Sequence, residues 1–252
     1  EDIKKNFSLE NNEYLKDLLK INRYYKMGDK RRFCKNCEKK IIPSSFLFKS
    51  FEVNFYQCKI CNHVNGEFKD DEKFCNWLYE KEKGKNYGKS YLSNYTKRVK
   101  NIYLPKVKFL KDVLKKKLFV LDAGCGGGHF LKALEYHKIP SYGIEPNKTL
   151  AKLGNTQLRK NKIINTPIKD INEIITNDKN SNVLSLLGVL EHLTNPNKTI
   201  SCFYKSKIKY LFLCLPLFSV SSYFENNYQK VFPRVLSGSH THCYTRKSVE
   251  YM

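Results

Sequence analysis

Apolar positions along the chain change period more than once. Over residues 9–25, Leu15, Leu18, Leu19 and Tyr25 recur at helical spacing, which predicts an amphipathic helix. The stretch SFLFKSFEVNFYQ (45–57) is aromatic and roughly alternating, as short strands are. Residues 70–117 are charged, rich in tyrosine and mostly helical in character. From Leu118 onward the pattern switches again. Short apolar runs (LFVLDAG, SYGIEP, KIINTPI, NVLSLLG, KYLFLCLPLF) alternate with helical segments (HFLKALEYHK, LAKLGNTQLRK, part of NPNKTISCFYKSK). That alternation predicts an α/β fold with a doubly wound parallel sheet, whose ligands bind at the carboxyl ends of the strands.

The expected organisation is an N-terminal helix (1–29), a zinc-binding module (30–68), a helical connector or lid (69–117) and a cofactor-binding α/β domain (118–252). The zinc module rests on CKNC at Cys34 and Cys37 and CKIC at Cys58 and Cys61, with 20 residues between the pairs. Two such knuckles supply four thiolates for one tetrahedral ion, and four protein ligands make the zinc structural. His63 is not needed as a ligand. Cys75, Cys125, Cys202, Cys214 and Cys243 lack ligand spacing and read as packing residues. Tyr87, Tyr91, Tyr95 and Arg98 have helix-like spacing, with packing as the default role and a lid as the sharper one.

The chemistry centres on LDAGCGGGHF (121–130). The dinucleotide pattern G-x-G-x-x-G fails at His129, whereas D-x-G-x-G-x-G fits Asp122, Gly124, Gly126 and Gly128. Glycines there let a loop approach a ligand closely. Glu145 ends the next strand, 21 residues after Gly124, where an acid can accept hydrogen bonds from ribose hydroxyls. Asp122–Gly128, Glu145 and LLGVLEHLTNP (186–196) resemble the S-adenosylmethionine-dependent methyltransferases of the Rossmann-like superfamily over residues 118–252. The resemblance implies S-adenosyl-L-methionine as cofactor, bound also by Leu187 and Gly188. It implies further that a closing C-terminal hairpin is missing, through truncation of the chain or loss from the gene product.

A four-cysteine module before such a domain is similar to sugar C-methyltransferases. The tail with His240, His242, Tyr244 and Thr245 is similar to surface-glycan methyltransferases. Glu191 and His192 follow the fourth strand and His240 and His242 the fifth, so these residues, with Tyr244, are the candidate catalytic groups. A histidine is a suitable base near neutral pH. A divalent ion at Glu191 is the weaker alternative, since Gly188 stands where another acid would be expected. His129 is expected to form pocket wall and His137 to face solvent.

Charge modifies this picture modestly. The 252 residues carry 46 Lys and Arg against 24 Asp and Glu, a net +22, but only 7 of the 46 are Arg. The expected acceptor is therefore a small anionic metabolite such as a nucleotide-linked sugar or glycan precursor, methylated at carbon or oxygen. RNA gripped by the basic surface is the alternative, although the base-methylating [DN]-P-P-[YF] motif and a Pro-Cys nucleophile are absent. A non-catalytic binding module that keeps the cofactor fold is the third reading. The N-terminus has no signal-peptide core and the longest apolar run is too short to span a bilayer, which predicts a cytoplasmic protein.

Overall fold

The structure is a computed structural model that describes residues 7–82, 94–160, 162–227, 236 and 240–252. Tyr87 and Tyr91 lie outside the described residues. The chain folds into two compact units: residues 1–81, 191–194 and 215–252 form the first, and 82–190 with 195–214 the second.

The first unit opens with α1 (Phe7–Tyr25), followed by an antiparallel sheet of β1 (Phe46–Ser50), β2 (Val53–Gln57) and β3 (Val64–Gly66), then α2 (Glu72–Glu82). The β1–β2 turn uses Phe51 and Glu52, both at positive φ (43° and 69°), the backbone a two-residue hairpin requires. Neither residue favours that region, and α1 holds the turn from outside. Asn22 Nδ2 donates to Phe51 O at 3.1 Å, and Lys26 pairs with Glu52 at 2.9 Å. Ile21 on α1 packs with Phe74 and Leu78 on α2, flanked by a Tyr24–Trp77 stack at 4.2 Å.

The second unit carries five parallel strands: β4 (Val120–Ala123), β5 (Ser141–Glu145), β6 (Lys162–Asn165), β7 (Val183–Leu187) and β8 (Tyr210–Cys214), in the order β6-β5-β4-β7-β8. The order reverses at β4, the switch point of a Rossmann-like sheet, so the expected α/β fold is found. A helical segment enters through α3 (Tyr95–Arg98), a π turn (Val99–Tyr103) and α4 (Leu104–Leu114). Its Val99, Val107 and Leu110 are buried with Val120, Phe130 and Val183, so this part of the connector belongs to the core. Tyr95 stacks on His129 at 4.1 Å, which supports packing over a lid for that tyrosine. The remaining helices are α5 (His129–Tyr136), α6 (Lys148–Gln157), α7 (Ile168–Asn177) and α8 (Pro196–Lys205).

The tail, with α9 (Val220–Asn227) and α10 (Arg246–Glu250), departs from the expected division at residue 118. Residues 215–252 join the first unit because their polar backbone finds partners there. Val64 N donates to Cys243 O at 3.2 Å, Asn36 Nδ2 to Ser248 O at 2.9 Å, and Lys35 Nζ to Thr241 O at 2.7 Å. Phe48 stacks on Phe218 at 5.4 Å. Asp70 takes both Arg31 and Lys35 in a buried pair of ion contacts. Among the described residues no strand follows β8 in the parallel sheet, and no helix is long and apolar enough to cross a membrane.

Candidate functional site

The glycine loop springs from the end of β4 in the second unit. Gly124, Gly126, Gly128 and, after β7, Gly188 all have positive φ (72°, 53°, 73° and 72°), a region side chains resist. Space forbids a Cβ as well at two of them. One on Gly124 would meet Val189 at 2.8 Å, and one on Gly128 would meet Ile163 at 2.9 Å. Gly143 on β5 has the same role for the neighbouring side chain: a Cβ there would sit 2.5 Å from Cys125 Sγ, which fills that space instead.

Glu145 ties the loop to β5. Its Oε2 accepts from Gly126 N at 2.8 Å and its Oε1 from Asn147 N at 2.9 Å. Burial raises its carboxyl pKa, opposed by those two N–H donors. Each oxygen keeps one further lone pair for a ligand. Asp122 lies between Gly143 and Ser185 in the sheet register. Ser185 Oγ donates to its Oδ1 at 2.6 Å. Burial pushes the Asp122 carboxyl up to about 7; the Ser185 hydrogen bond opposes this and the Glu145 charge adds to it. Sequence reasoning missed Ser185; its register opposite Asp122 was the signal, visible only once β4 and β7 were paired. Leu187 ends β7, and Gly188 N donates to Cys214 O at 2.7 Å.

His129 is not a free wall of this loop. It is 1% exposed and lies between Tyr95 and Tyr103, with ring centroids at 4.1 and 5.5 Å. His137, at the end of α5, is half-buried rather than solvent-facing.

In the first unit the four cysteines converge. The Sγ atoms of Cys34 and Cys61 lie 3.6 Å apart, those of Cys37 and Cys58 3.5 Å apart, and all four are free thiols. A tetrahedral zinc with bonds of about 2.3 Å needs sulfurs about 3.8 Å apart, so the cluster fits zinc and is far too open for disulfides. The two knuckles share one local fold. Glu38 N donates to Cys34 O and Asn62 N to Cys58 O, each at 2.9 Å. Glu38 and Asn62, the residues after the second cysteines, both have positive φ (58° and 59°). Asn65 Nδ2 also donates to Cys34 Sγ at 3.5 Å.

The candidate catalytic residues all fall in the first unit, and the structure sorts them into two sets. Glu191, His192 and His240 bring ligand atoms within 4.8 Å of one another. Thr241 Oγ1 and His242 N both donate to Glu191 O, at 3.3 and 3.2 Å, which fixes the tail segment beside Glu191. The rings of His192 and His240 are 5.0 Å apart. Glu191 is 2% exposed, and burial pushes its carboxyl up to about 7. His242 and Tyr244 form the other set: they stack at 5.5 Å, close to His63, and are 1% and 0% exposed. Burial, with Lys35 and His63 nearby, holds the His242 pKa well below the usual imidazole range.

A methyltransferase domain model matches residues 95–251, more than half of the chain. Among curated proteins, the ubiquinone biosynthesis O-methyltransferase of Coxiella burnetii is 29% identical over 92 residues, 36% of this chain and 39% of that protein. The matched part thus spans about two fifths of the relative's length. Among solved structures, a SAM dependent methyltransferase from Archaeoglobus fulgidus aligns at 20% identity and a TM-score of 0.48, over 65% of this chain and 71% of the other. The plantazolicin methyltransferase BpumL, in complex with a monoazolic desmethylPZN analog and SAH, aligns at 16% identity and 0.48 over 70% of each chain. With residues 95–251 matched, the chain belongs to the S-adenosylmethionine-dependent methyltransferase domain family.

Proposed function

We propose that the protein transfers a methyl group from S-adenosylmethionine to a small anionic metabolite, a nucleotide-linked sugar or glycan precursor, at carbon or oxygen. The observation that carries this reading is the glycine loop latched to Glu145, with a lone pair left on each carboxylate oxygen. In this assignment Asp122 and the loop hold the cofactor's amino-acid end, Glu145 accepts from the ribose hydroxyls, and Leu187 and Gly188 border the adenosyl group. Zinc at Cys34, Cys37, Cys58 and Cys61 is structural. Proton removal from the acceptor falls to the accessible His192 or His240, with the buried Glu191 grouped beside them, whereas His242 and Tyr244 are buried against His63. Labelled cofactor incubated with separate metabolite and RNA pools tests the reading. Label in an anionic small molecule supports it, whereas label in RNA with salt-dependent affinity would replace it.

Cofactor binding should be linked to protonation at Asp122. Its carboxyl is pushed up to about 7, so in the free protein it is mostly protonated below that pH. The cofactor's ammonium favours the ionised form, so binding expels the proton. Affinity should therefore fall as pH drops below 7, by up to about tenfold per unit. Calorimetry at pH 6 in two buffers of different ionisation enthalpy should show release of about one proton, lost in Asp122→Asn. Release unchanged in that variant would exclude Asp122.

For the acceptor side, His240→Ala should lower turnover by about 10²–10⁴ while cofactor affinity stays within error, as removal of a general base does. Single variants of Glu191, His192 and His240 that all turn over a confirmed acceptor at the wild-type rate would refute the base assignment.

A further inference from the structure

We propose that Lys35, inside the first cysteine knuckle, is a positioning residue that holds His240 in place on the acceptor side. Its side chain is 8% exposed, and its ammonium donates to Thr241 O at 2.7 Å, one residue after His240. The same segment is anchored a second time, because Thr241 Oγ1 and His242 N both donate to Glu191 O, at 3.3 and 3.2 Å. Thr241 is thus pinned between Lys35 and Glu191, and its backbone sets the His240 ring against that of His192, 5.0 Å away. Lys35 is itself fixed through the knuckle. Its backbone N–H donates to Asn65 Oδ1 at 2.9 Å, and Asn65 Nδ2 donates to Cys34 Sγ at 3.5 Å. The cysteine cluster therefore places Lys35, and Lys35 places the tail.

Charge balance gives an independent reason to assign Lys35 this role. The Asp70 side chain is 4% exposed and takes both Arg31 and Lys35. Arg31 alone neutralises that carboxylate. The second cation leaves a surplus positive charge in the interior, and a buried charge without its own counter-ion costs free energy. An apolar residue at position 35 would relieve that cost. What the ammonium adds is the bond to Thr241 O, a charge-assisted one and so stronger than a neutral pair. The contact also bears on ligand space. Asp70, His240 and Thr241 line one cleft, together with Ile21, Phe55 and Phe74. A tail that shifts at Thr241 therefore changes the cleft and the ring beside it together. That His240 acts as a base rests on the methyltransferase reading; its placement by Lys35 does not.

Lys35→Met, apolar and of similar length, tests this in the full chain. The Arg31–Asp70 pair stays balanced, so the variant should fold, with the wild-type circular dichroism spectrum and metal content. In imidazole NMR spectra the ring signals of His240, identified by their loss in His240→Gln, should shift or broaden. Those of His129, in the second unit, should not. Lys30→Met, at an exposed lysine paired with Glu67 at 3.3 Å, should leave both sets unchanged. With a confirmed acceptor, turnover of Lys35→Met should fall by about tenfold to a hundredfold, as misplacement by about 1 Å does, while cofactor affinity stays within error. Lys35→Gln, whose donor falls one bond short, repeats the test should Lys35→Met fail to fold. Unchanged His240 signals in a folded variant would overturn the proposal, as would turnover at the wild-type rate. The two inferences fail separately: a wild-type chain that methylates no metabolite while His240 still shifts in the variant loses the function and keeps the positioning, and the reverse result does the opposite.

Discussion

On the zinc assignment proposed above, Cys34→Ala is expected to abolish metal binding at the cysteine cluster and, with it, the folding of the first unit. Cys34 is 1% exposed, its Sγ lies 3.6 Å from Cys61 Sγ, and Asn65 donates to it. With the ion gone, nothing ties together the two tight knuckles, whose Glu38 and Asn62 sit at positive φ. Structural zinc contributes on the order of 10–16 kcal/mol of apparent binding free energy in small modules, which is folding free energy there. The effect should therefore be comparable with the whole stability of a typical domain. Limited proteolysis and zinc analysis check it. Residues 30–68 should become rapidly cleaved in the variant, or in wild-type protein treated with chelator, while the second unit persists longer. Stoichiometric zinc and an unchanged cleavage pattern in the variant would remove zinc from the account of this fold.

Gly126→Val should abolish cofactor binding. The residue sits at φ 53°, where a β-branched side chain is strongly disfavoured. Its N–H is also the donor that latches the loop to Glu145 at 2.8 Å. Valine thus shifts the backbone, breaks the latch and places methyl groups where the ligand approaches. Glu145→Ala should weaken binding through lost ligand hydrogen bonds, roughly 1.5–3 kcal/mol for charge-assisted bonds. The structure adds that this variant also frees Gly126 N and Asn147 N, so the loss should lie at or above the top of that range. Calorimetric titration with S-adenosylmethionine decides the matter; unchanged affinity in both variants would move the cofactor elsewhere.

Much of the second unit was legible in the sequence because buried parallel strands read as apolar runs and the glycine pattern marks the switch point. Helix α7 was not. Its two asparagines and β-branched isoleucines are weak helix formers, Pro167 stands just before it, and Ile171 and Ile175, one turn apart, are its buried anchors. The cysteine spacing was read directly, but the positive φ at Glu38 and Asn62 was not, since glutamate gives no hint of that backbone. The allegiance of the tail was invisible for a different reason. A bridge such as Val64 to Cys243 spans 179 residues, and local periodicity carries no information on partners so remote. For the same reason His242, polar and near a candidate site, gave no sign that it is buried against Tyr244 and His63.

The discontinuous path of the first unit has a consequence for biosynthesis. Its N-terminal part ends at residue 81, yet the strand-like partner of Val64 is Cys243. At translation rates of about 5–20 residues per second, the cysteine module emerges roughly 8–30 s before the segment that completes it. During that interval Val64 and the side chains of Lys35 and Asn36 lack their tail partners, while the second unit has all its strands in one uninterrupted run apart from four residues. The chain order therefore allows the inserted unit to finish first while the outer one waits for its tail, and metal captured at the cysteine cluster would shield the waiting half from proteases.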